Sequence, residues 1–106
     1  MNEIIDALKQ FWDERDWKQF HNPKDLSLAL SIEASELLEA FLWKSSEEAD
    51  VQKVREELAD IFAYAFLLAE AYQLDVKEIM LDKIARNREK YPVDKARGSA
   101  NKYTEL

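Results

Sequence analysis

The chain of 106 residues has no cysteine, only one glycine, two prolines and a single histidine. Without cysteine it cannot form a disulfide framework, a thiolate zinc site or a thiol nucleophile. The scarcity of glycine and proline leaves few turn residues, whereas Ala, Leu, Glu and Lys, which favour helices, are abundant. The composition therefore predicts an all-α fold of long helices joined by short loops.

Basic residues are fewer than acidic ones. The sequence has 22 acidic and 15 basic residues, a formal net charge of −7. A nucleic acid duplex or an anionic membrane needs a basic partner surface, so neither is the expected partner. No apolar run approaches 18 residues without a charge, and the N-terminus lacks the basic and apolar regions of a signal peptide. We therefore expect a cytoplasmic protein with a single domain over residues 1–106.

Hydrophobic spacing predicts four helices. Their expected bounds are about Asn2 to Trp17, about Leu26 to Trp43, about Glu47 to Tyr72, and Val76 to a point before Pro92. Asp25, a Ser45–Glu48 capping box and Asp75 are the expected caps of the second, third and fourth helices. The short break between the second and third helices predicts an antiparallel hairpin at the centre of a four-helix, bundle-like fold. The tail from Val93 is expected to be an ordered arm or an irregular segment.

Two carboxylates interrupt the apolar second helix. Glu33 and Glu36 lie three residues apart in LSLALSIEASELLEAFLW, so they share one face, among apolar neighbours. Removing an ionised carboxylate from water costs several kcal/mol, and two at about 4 Å repel by about 4 kcal/mol at an effective dielectric near 20. The pair therefore favours a nearby cation. The alternative is a narrow polar strip, including Glu39, that faces solvent.

The third helix repeats this spacing with Glu57 and Asp60, and Tyr64 follows one turn later. A hairpin would bring both carboxylate pairs into one apolar-walled site. Oxygen ligands without thiolate or imidazole suit Mg²⁺ or Mn²⁺, and the waters that Mg²⁺ retains suit a site completed by substrate phosphates. A di-iron carboxylate bundle would need Glu-x-x-His on two helices, whereas the only histidine lies in a predicted loop.

These residues carry a resemblance to a known family. Glu33-x-x-Glu36 followed by Glu57-x-x-Asp60 on the next helix resembles the signature of the MazG-like all-α nucleotide pyrophosphohydrolases. The segments ERDWKQFHNP, FLWK, ELADIFAY, NREKYP and ARGSANKYTEL are similar to the deoxycytidine triphosphate pyrophosphatase branch of that family. The resemblance extends from about Phe11 to Leu106.

The resemblance implies hydrolysis of a nucleoside triphosphate between the α and β phosphates, which gives a monophosphate and pyrophosphate. The expected substrate is a deoxynucleotide, with dCTP or a modified dCTP favoured, and the expected role is house-cleaning of the nucleotide pool. Mg²⁺ would be held by the four carboxylates Glu33, Glu36, Glu57 and Asp60. A related phosphohydrolase with another nucleotide specificity, or a non-catalytic acidic helical interaction module, is the alternative.

By the same resemblance, eight further residues would bind the substrate. Trp17, His21 and Trp43 would belong to the nucleoside and phosphate site, Tyr64 would approach the sugar, and the phosphates would face Lys83, Asn87, Arg97 and Lys102. Taken without the resemblance, the two tryptophans suit a core or an interface, His21 suits a surface loop, and the tail charges suit solvent.

Two departures from the family pattern concern base preference. Some relatives have a further histidine on the first helix where this chain has Leu8, and the loop from Lys44 to Glu47 is shorter than in longer relatives. The first departure would remove one phosphate contact, and the two together leave the base preference open.

The third helix is apolar around most of its circumference, which exceeds the stripe that one partner layer covers. Its apolar residues include Ala59, Ile61, Phe62, Ala63, Ala65, Phe66, Leu67 and Leu68. We therefore expect a homo-oligomer with a two-fold contact, and the family resemblance implies dimers that pair into a tetramer.

Overall fold

A computed structural model describes residues 2–102 and 104, which are helical except for turns and short connections. The helices are α1 (Asn2–Glu14), α2 (Pro23–Glu39), α3 (Val51–Ala71), α4 (Val76–Lys90) and the short α5 (Val93–Ala96). No strand occurs among the described residues, so the predicted all-α class is confirmed. None of the described helices has both the length and the apolar character needed to span a bilayer.

The chain forms two compact units, one ending at Leu74 and the other beginning at Asp75. The first unit contains α1 to α3, and the second contains α4 and α5. The four predicted helices are present in the predicted order. The single domain over residues 1–106 stays a prediction, as does the oligomer.

Helix α1 ends earlier than its hydrophobic pattern indicates. It stops at Glu14 instead of about Trp17, because Asp16 adopts a positive φ of 53°, which leaves the right-handed helical region. The N–H groups of Arg15 and Trp17 both donate to the carbonyl of Trp12, each at 3.1 Å. A short 3₁₀ turn over Lys18–Phe20 follows. The Trp17 to His21 segment is thereby separated from the helix but tied to its end.

The cap of α2 is Asn22, and the prediction of Asp25 was wrong. The Asn22 side chain accepts a hydrogen bond from the Asp25 N–H at 2.9 Å, and Pro23 occupies the first helical turn. Proline suits that position because its missing N–H would have no helical partner there. Asp25 lies inside the first turn, where its carboxylate accepts a hydrogen bond from the Asn22 side-chain amide at 2.8 Å.

Helix α2 also ends before the predicted Trp43. Its last residue is Glu39, and the chain then turns until Trp43 takes a positive φ of 62°. The predicted Ser45–Glu48 capping box forms, with the Ser45 N–H donating to the Glu48 carboxylate at 3.2 Å, but it caps a 3₁₀ turn. The cap of α3 is Asp50, which accepts from the Gln52 N–H at 3.0 Å.

Helices α2 and α3 pack against each other as the predicted antiparallel hairpin. Leu26 near the start of α2 shares a cleft with Leu67 near the end of α3, whereas Glu36 lies with Glu57 at the opposite end of the pair. Among the described residues, the buried apolar ones are Leu26, Ala40, Leu67 and Ala69. This small core fixes the register of α2 against α3, and with it the position of their carboxylates.

Helix α1 packs against α3. Lys9 and Glu70 form an ion pair across this contact, with Nζ to Oε1 at 2.6 Å. Ile4 and Leu8 of α1 also share an apolar groove with Phe62 and Phe66 of α3. The first unit therefore places the end of α1 beside the carboxyl-terminal half of α3.

In the second unit, α4 begins as predicted. Its cap Asp75 accepts a hydrogen bond from the Glu78 N–H at 2.9 Å, and the helix ends at Lys90, before Pro92. After α5, residues 97–102 form no regular element, and the lone glycine, Gly98, has a positive φ of 76°. Tyr103, Glu105 and Leu106, which belong to the segment carrying the family resemblance, lie outside the described residues.

Candidate functional site

Three carboxylates converge between α2 and α3. Glu33, Glu36 and Glu57 each offer one oxygen, and these oxygens lie within 4.8 Å of one another. All three side chains are half-buried. The spacing of three places the first two on one face of α2, and the antiparallel packing brings α3 opposite them. The two helices therefore bring three of the four predicted carboxylates together.

The fourth predicted carboxylate, Asp60, lies one turn after Glu57 but outside this three-residue group. Its side chain is exposed. Its negative charge nevertheless contributes to raising the pKa values of both Glu33 and Tyr64. Asp60 therefore lies close enough to the cluster to affect it electrostatically.

The carboxylate of Glu33 has a raised pKa. Burial, followed by the hydrogen bonding and charge of Glu36 and by the contributions of Asp60 and Glu57, raises its pKa from 4.5 to about 7. Each of these causes disfavours the ionised form. Without a cation, the carboxyl of Glu33 therefore retains its proton up to near-neutral pH.

Two oxygens of the cluster have unmet bonding capacity. Oε2 of Glu33 and Oε2 of Glu57 are enclosed, and no described residue donates a hydrogen bond to either. The ion pairs between described residues are Lys9–Glu70 and Arg15–Glu14, and neither involves the cluster. No described basic residue is therefore paired with these carboxylates. Buried oxygens of this kind fit a bound cation, which would supply the missing positive charge. The cluster could thus hold a metal ion with hard oxygen ligands.

An aromatic group adjoins the carboxylates. Tyr64 lies on α3 one turn after Asp60, and burial, then the charges of Glu33, Asp60 and Glu36, raise its pKa. The imidazole of His21 lies edge-on to the Tyr64 ring at a centroid distance of 6.4 Å. Two of the predicted substrate-binding residues, His21 and Tyr64, are therefore adjacent to each other.

Trp12 is part of the same group, and the sequence pattern did not reveal it. Its indole lies 3.8 Å from the His21 ring, centroid to centroid, at an interplanar angle of 59°. On the helical pattern Trp12 belongs only to the apolar face of α1. The contact depends on the turn at Asp16, which returns the following segment to the end of the helix.

A cleft of about 380 Å³ opens beside Trp12 and His21. Its walls combine apolar side chains of the hairpin with charged groups from α1, α3 and the 3₁₀ turn. Besides these two rings, the lining residues are Lys9, Asp13, Lys18, Leu26, Leu67, Glu70, Ala71 and Gln73. Sequence spacing alone gives no signal for this cleft because its walls come from four separate segments.

The two tryptophans predicted to belong to the nucleoside and phosphate site are not in ring contact with each other in the described structure. Trp17 packs edge-on against Phe11 at 5.6 Å and is 41% exposed, whereas Trp43 is 95% exposed at the turn after α2. Trp43 is therefore not a core residue of the described chain. Its indole is free to meet a ligand or another chain.

The remaining predicted substrate-binding residues belong to the second unit. Lys83 and Asn87 lie four residues apart on α4, and Arg97 and Lys102 follow α5. All four side chains are exposed. Lys83 lines a small cavity of about 220 Å³ with Ile79, Asp82 and Arg86. The second unit thus has exposed hydrogen-bond donors, most of which are cationic.

Comparison with known proteins identifies the family. A model described as the MazG-like family matches residues 28–106, which include all four predicted carboxylates. The chain belongs to the MazG-like family. The match begins after Trp17 and His21, so it leaves those two residues outside its bounds.

Named pyrophosphatases are similar to this chain in sequence and in structure. The MazG-like chain is 45% identical over 105 residues to dCTP pyrophosphatase 1 of Bos taurus and 42% identical to that of Homo sapiens. Each alignment covers 92% of the chain, which spans about 62% of the length of these curated relatives. A crystal structure of a pyrophosphatase from Archaeoglobus fulgidus DSM 4304 is similar with a TM-score of 0.81 and 37% identity, over 87% of this chain and 92% of that one. The predicted MazG-like fold is confirmed.

Proposed function

We propose that this MazG-like chain hydrolyses a nucleoside triphosphate between the α and β phosphates and releases a nucleoside monophosphate and pyrophosphate. The observation that carries the proposal is the convergence of Glu33, Glu36 and Glu57, with two enclosed oxygens that lack donors. A triphosphate is a polyanion, so such a cluster can accept it only through a cation. The names of the pyrophosphatase relatives favour the same reaction.

The proposed cation is Mg²⁺, with Mn²⁺ as a substitute, held by Glu33, Glu36, Glu57 and Asp60. Carboxylates alone form the donor set, which suits these hard ions better than a metal that prefers sulfur or imidazole. When bound, the ion would neutralise phosphate charge and lower the pKa of a coordinated water near the phosphorus. The two helices would hold the carboxylates in place, and the half-buried position of the cluster would limit the access of other water.

The residues proposed to bind the substrate fall into two groups. In the first unit, Tyr64 adjoins the carboxylates, and His21 lies next to Tyr64. Trp17 and Trp43 are proposed to offer indole faces to the base. Base stacking on an aromatic ring is worth roughly 1–3 kcal/mol. In the second unit, Lys83, Asn87, Arg97 and Lys102 are proposed to bind the phosphates.

We further propose a deoxynucleotide substrate, with dCTP or a modified dCTP favoured, and a house-cleaning role in the cytoplasm. The names of the mammalian relatives support the choice of base. Residues 1–106 are proposed to act as one domain. The active form is proposed to be a homo-oligomer, a dimer or a tetramer.

The function is tested by incubating the protein with Mg²⁺ and a panel of canonical and modified nucleoside triphosphates, followed by mass spectrometry of the products. We expect Mg²⁺-dependent consumption, fastest for a cytosine deoxynucleotide. Omission of the metal and the Glu36→Gln variant serve as controls. If no nucleotide is consumed at any Mg²⁺ concentration, the chain is the non-catalytic helical module instead.

A further inference from the structure

Trp12 lies at the junction between α1 and the segment that carries two proposed nucleoside-site residues. Its carbonyl accepts hydrogen bonds from the N–H groups of Arg15 and Trp17, which fixes where the chain leaves the helix. Its indole lies 3.8 Å from the ring of His21. The backbone and the side chain of Trp12 therefore hold the two ends of the same five-residue segment, Trp17 at one end and His21 at the other.

The His21 ring has two aromatic neighbours, which come from different helices. Trp12 of α1 is one neighbour, and Tyr64 of α3 is the other at 6.4 Å. Local bonds hold the backbone as well, because the His21 N–H donates to the Lys18 carbonyl at 3.1 Å. Rotation of the imidazole would therefore cost ring contact area on the side of Trp12.

The two nitrogens of His21 are not equivalent in this position. Nδ1 is enclosed and has no hydrogen-bond partner among the described residues. A ligand cannot reach an enclosed atom, so Nε2 is the nitrogen that remains to meet one. The arrangement therefore leaves only the Nε2 edge of the imidazole available to a ligand. Packing produces this selection, because Nδ1 has no hydrogen bond that would hold the ring.

We propose that Trp12 is a positioning residue of the nucleotide site: its indole holds His21 in the single ring orientation that presents Nε2 to the substrate. The effect of Trp12 on catalysis rests on the proposed function. The orientation of the His21 ring, in contrast, is a property of the free protein. Trp12 lies outside the residues that the family model matches, which begin at 28. The assignment therefore comes from the ring geometry of this chain.

Several charged groups surround His21. Burial lowers its pKa, and the carboxylate of Asp25 at the start of α2 opposes that shift. Tyr64 faces it from α3, and the cleft beside it is also lined by Lys9 and Asp13 of α1, Lys18 of the 3₁₀ turn and Glu70 of α3. Lys9 and Glu70 are paired with each other. Removal of the Trp12 indole admits water without altering any of these charges, so the pKa of His21 should rise.

The test uses the fact that His21 is the only histidine of the chain. Its ring protons give unambiguous NMR signals in the free protein, without substrate or metal. Trp12→Leu keeps an apolar side chain and helix propensity but removes the indole face, and Trp12→Phe keeps an aromatic ring. Ile5→Ala, which trims another half-buried apolar residue of α1, is the matched control.

In the wild type we expect the neighbouring indole to displace the chemical shifts of the His21 ring protons. We also expect the pKa of His21 to lie below the ordinary 6.5. Trp12→Leu should return the shifts towards ordinary histidine values and raise the pKa, whereas Trp12→Phe should have a smaller effect and Ile5→Ala none. If the His21 signals and pKa of Trp12→Leu equal those of the wild type, or if Ile5→Ala moves them equally, Trp12 does not orient this ring.

Kinetics then test the role in the nucleotide site. Trp12→Leu should lower kcat/KM by about three- to tenfold, mainly by raising KM, and Trp12→Phe should restore most of the loss, on the scale of one aromatic contact. A normal kcat/KM in Trp12→Leu, despite a displaced His21, would refute the positioning role. A wild-type protein that hydrolyses no nucleotide would refute the proposed function, while the NMR result would still decide whether Trp12 orients His21.

Discussion

Glu33 and Glu57 face each other across the α2–α3 pair, each with one enclosed oxygen to which no described residue donates a hydrogen bond. A helix pair that served only as scaffold would gain stability from apolar residues at these positions, because two carboxylates at short distance repel and lose hydration. Their placement is understandable if a cation binds between them.

Substitutions that neutralise single carboxylates should separate activity from stability. Glu36→Gln and Asp60→Asn should each abolish turnover, because each removes a proposed metal ligand charge, while circular dichroism should show an intact helical fold. The melting temperature should not fall, since like-charge repulsion is relieved. Glu39→Gln, an exposed carboxylate on the same helix, should retain activity. Near wild-type pyrophosphate release at low Mg²⁺ in either site variant would contradict the metal site.

The raised pKa of Glu33 predicts the pH dependence of stability in metal-free protein. Between pH 4.5, its ordinary pKa, and about 7, the folded chain holds a proton that the unfolded chain has released. The contribution of Glu33 to the free energy of unfolding should therefore decrease as pH rises through that window. Denaturant titrations of the wild type and Glu33→Gln at several pH values measure it, and an identical pH dependence in the two proteins would count against the shift.

Metal binding should release protons. Mg²⁺ binds the ionised carboxylate, so its addition near pH 6 should displace the proton of Glu33 into solution. Calorimetry in buffers of different ionisation enthalpy measures the number of protons released. Glu33→Gln should remove most of the release and Glu39→Gln should leave it unchanged. Mg²⁺ binding without proton release at that pH would mean that Glu33 is already ionised in the free protein.

Trp43 should contribute to nucleotide affinity but little to stability. Its side chain is 95% exposed, so Trp43→Ala removes no core packing from the described chain. The loss of one stacked base should weaken binding by about ten- to a hundredfold. Tryptophan fluorescence titrations of the wild type and Trp43→Ala give the two affinities. Equal affinities would assign the indole to an interface between chains instead.

The apolar groove between α1 and α3 should be covered by a second copy of the chain. It is lined by Ile4, Leu8, Ala59, Phe62, Ala63 and Phe66, and Phe62 is 54% exposed. Light scattering at micromolar concentration should give a mass of two or four chains. Phe62→Arg should lower that mass, whereas Val51→Arg, at an exposed position of the same helix, should not. A stable, active monomer of 12.5 kDa would contradict the prediction.

The hairpin and its carboxylates could be predicted because both depend on local spacing. Glu33 with Glu36 and Glu57 with Asp60 share helical faces by their separation of three, and a short connection makes the two helices antiparallel. The distance of Asp60 from the group of three could not be predicted, since it depends on the rotation of α3 about its axis.

The helix ends and the contact between Trp12 and His21 were harder to predict from the sequence. Asn22 and Asp25 are both residue types that cap helices well. Asn22 is the cap because Pro23, which lies between them, fits the first helical turn. The apolar pattern continues past Glu39, whereas the backbone turns before Trp43. The Trp12–His21 contact depends on a positive φ at Asp16, which no periodicity records.

The most direct test of the proposed reaction identifies the bond that is cleaved. Phosphorus NMR of a reaction with the wild-type protein, Mg²⁺ and dCTP would follow every phosphorus atom of the substrate. The metal-site proposal predicts dCMP and pyrophosphate in equal amounts, and no turnover with Glu36→Gln or without Mg²⁺. Formation of dCDP and orthophosphate, or cleavage that proceeds equally well after the metal is removed, would contradict it.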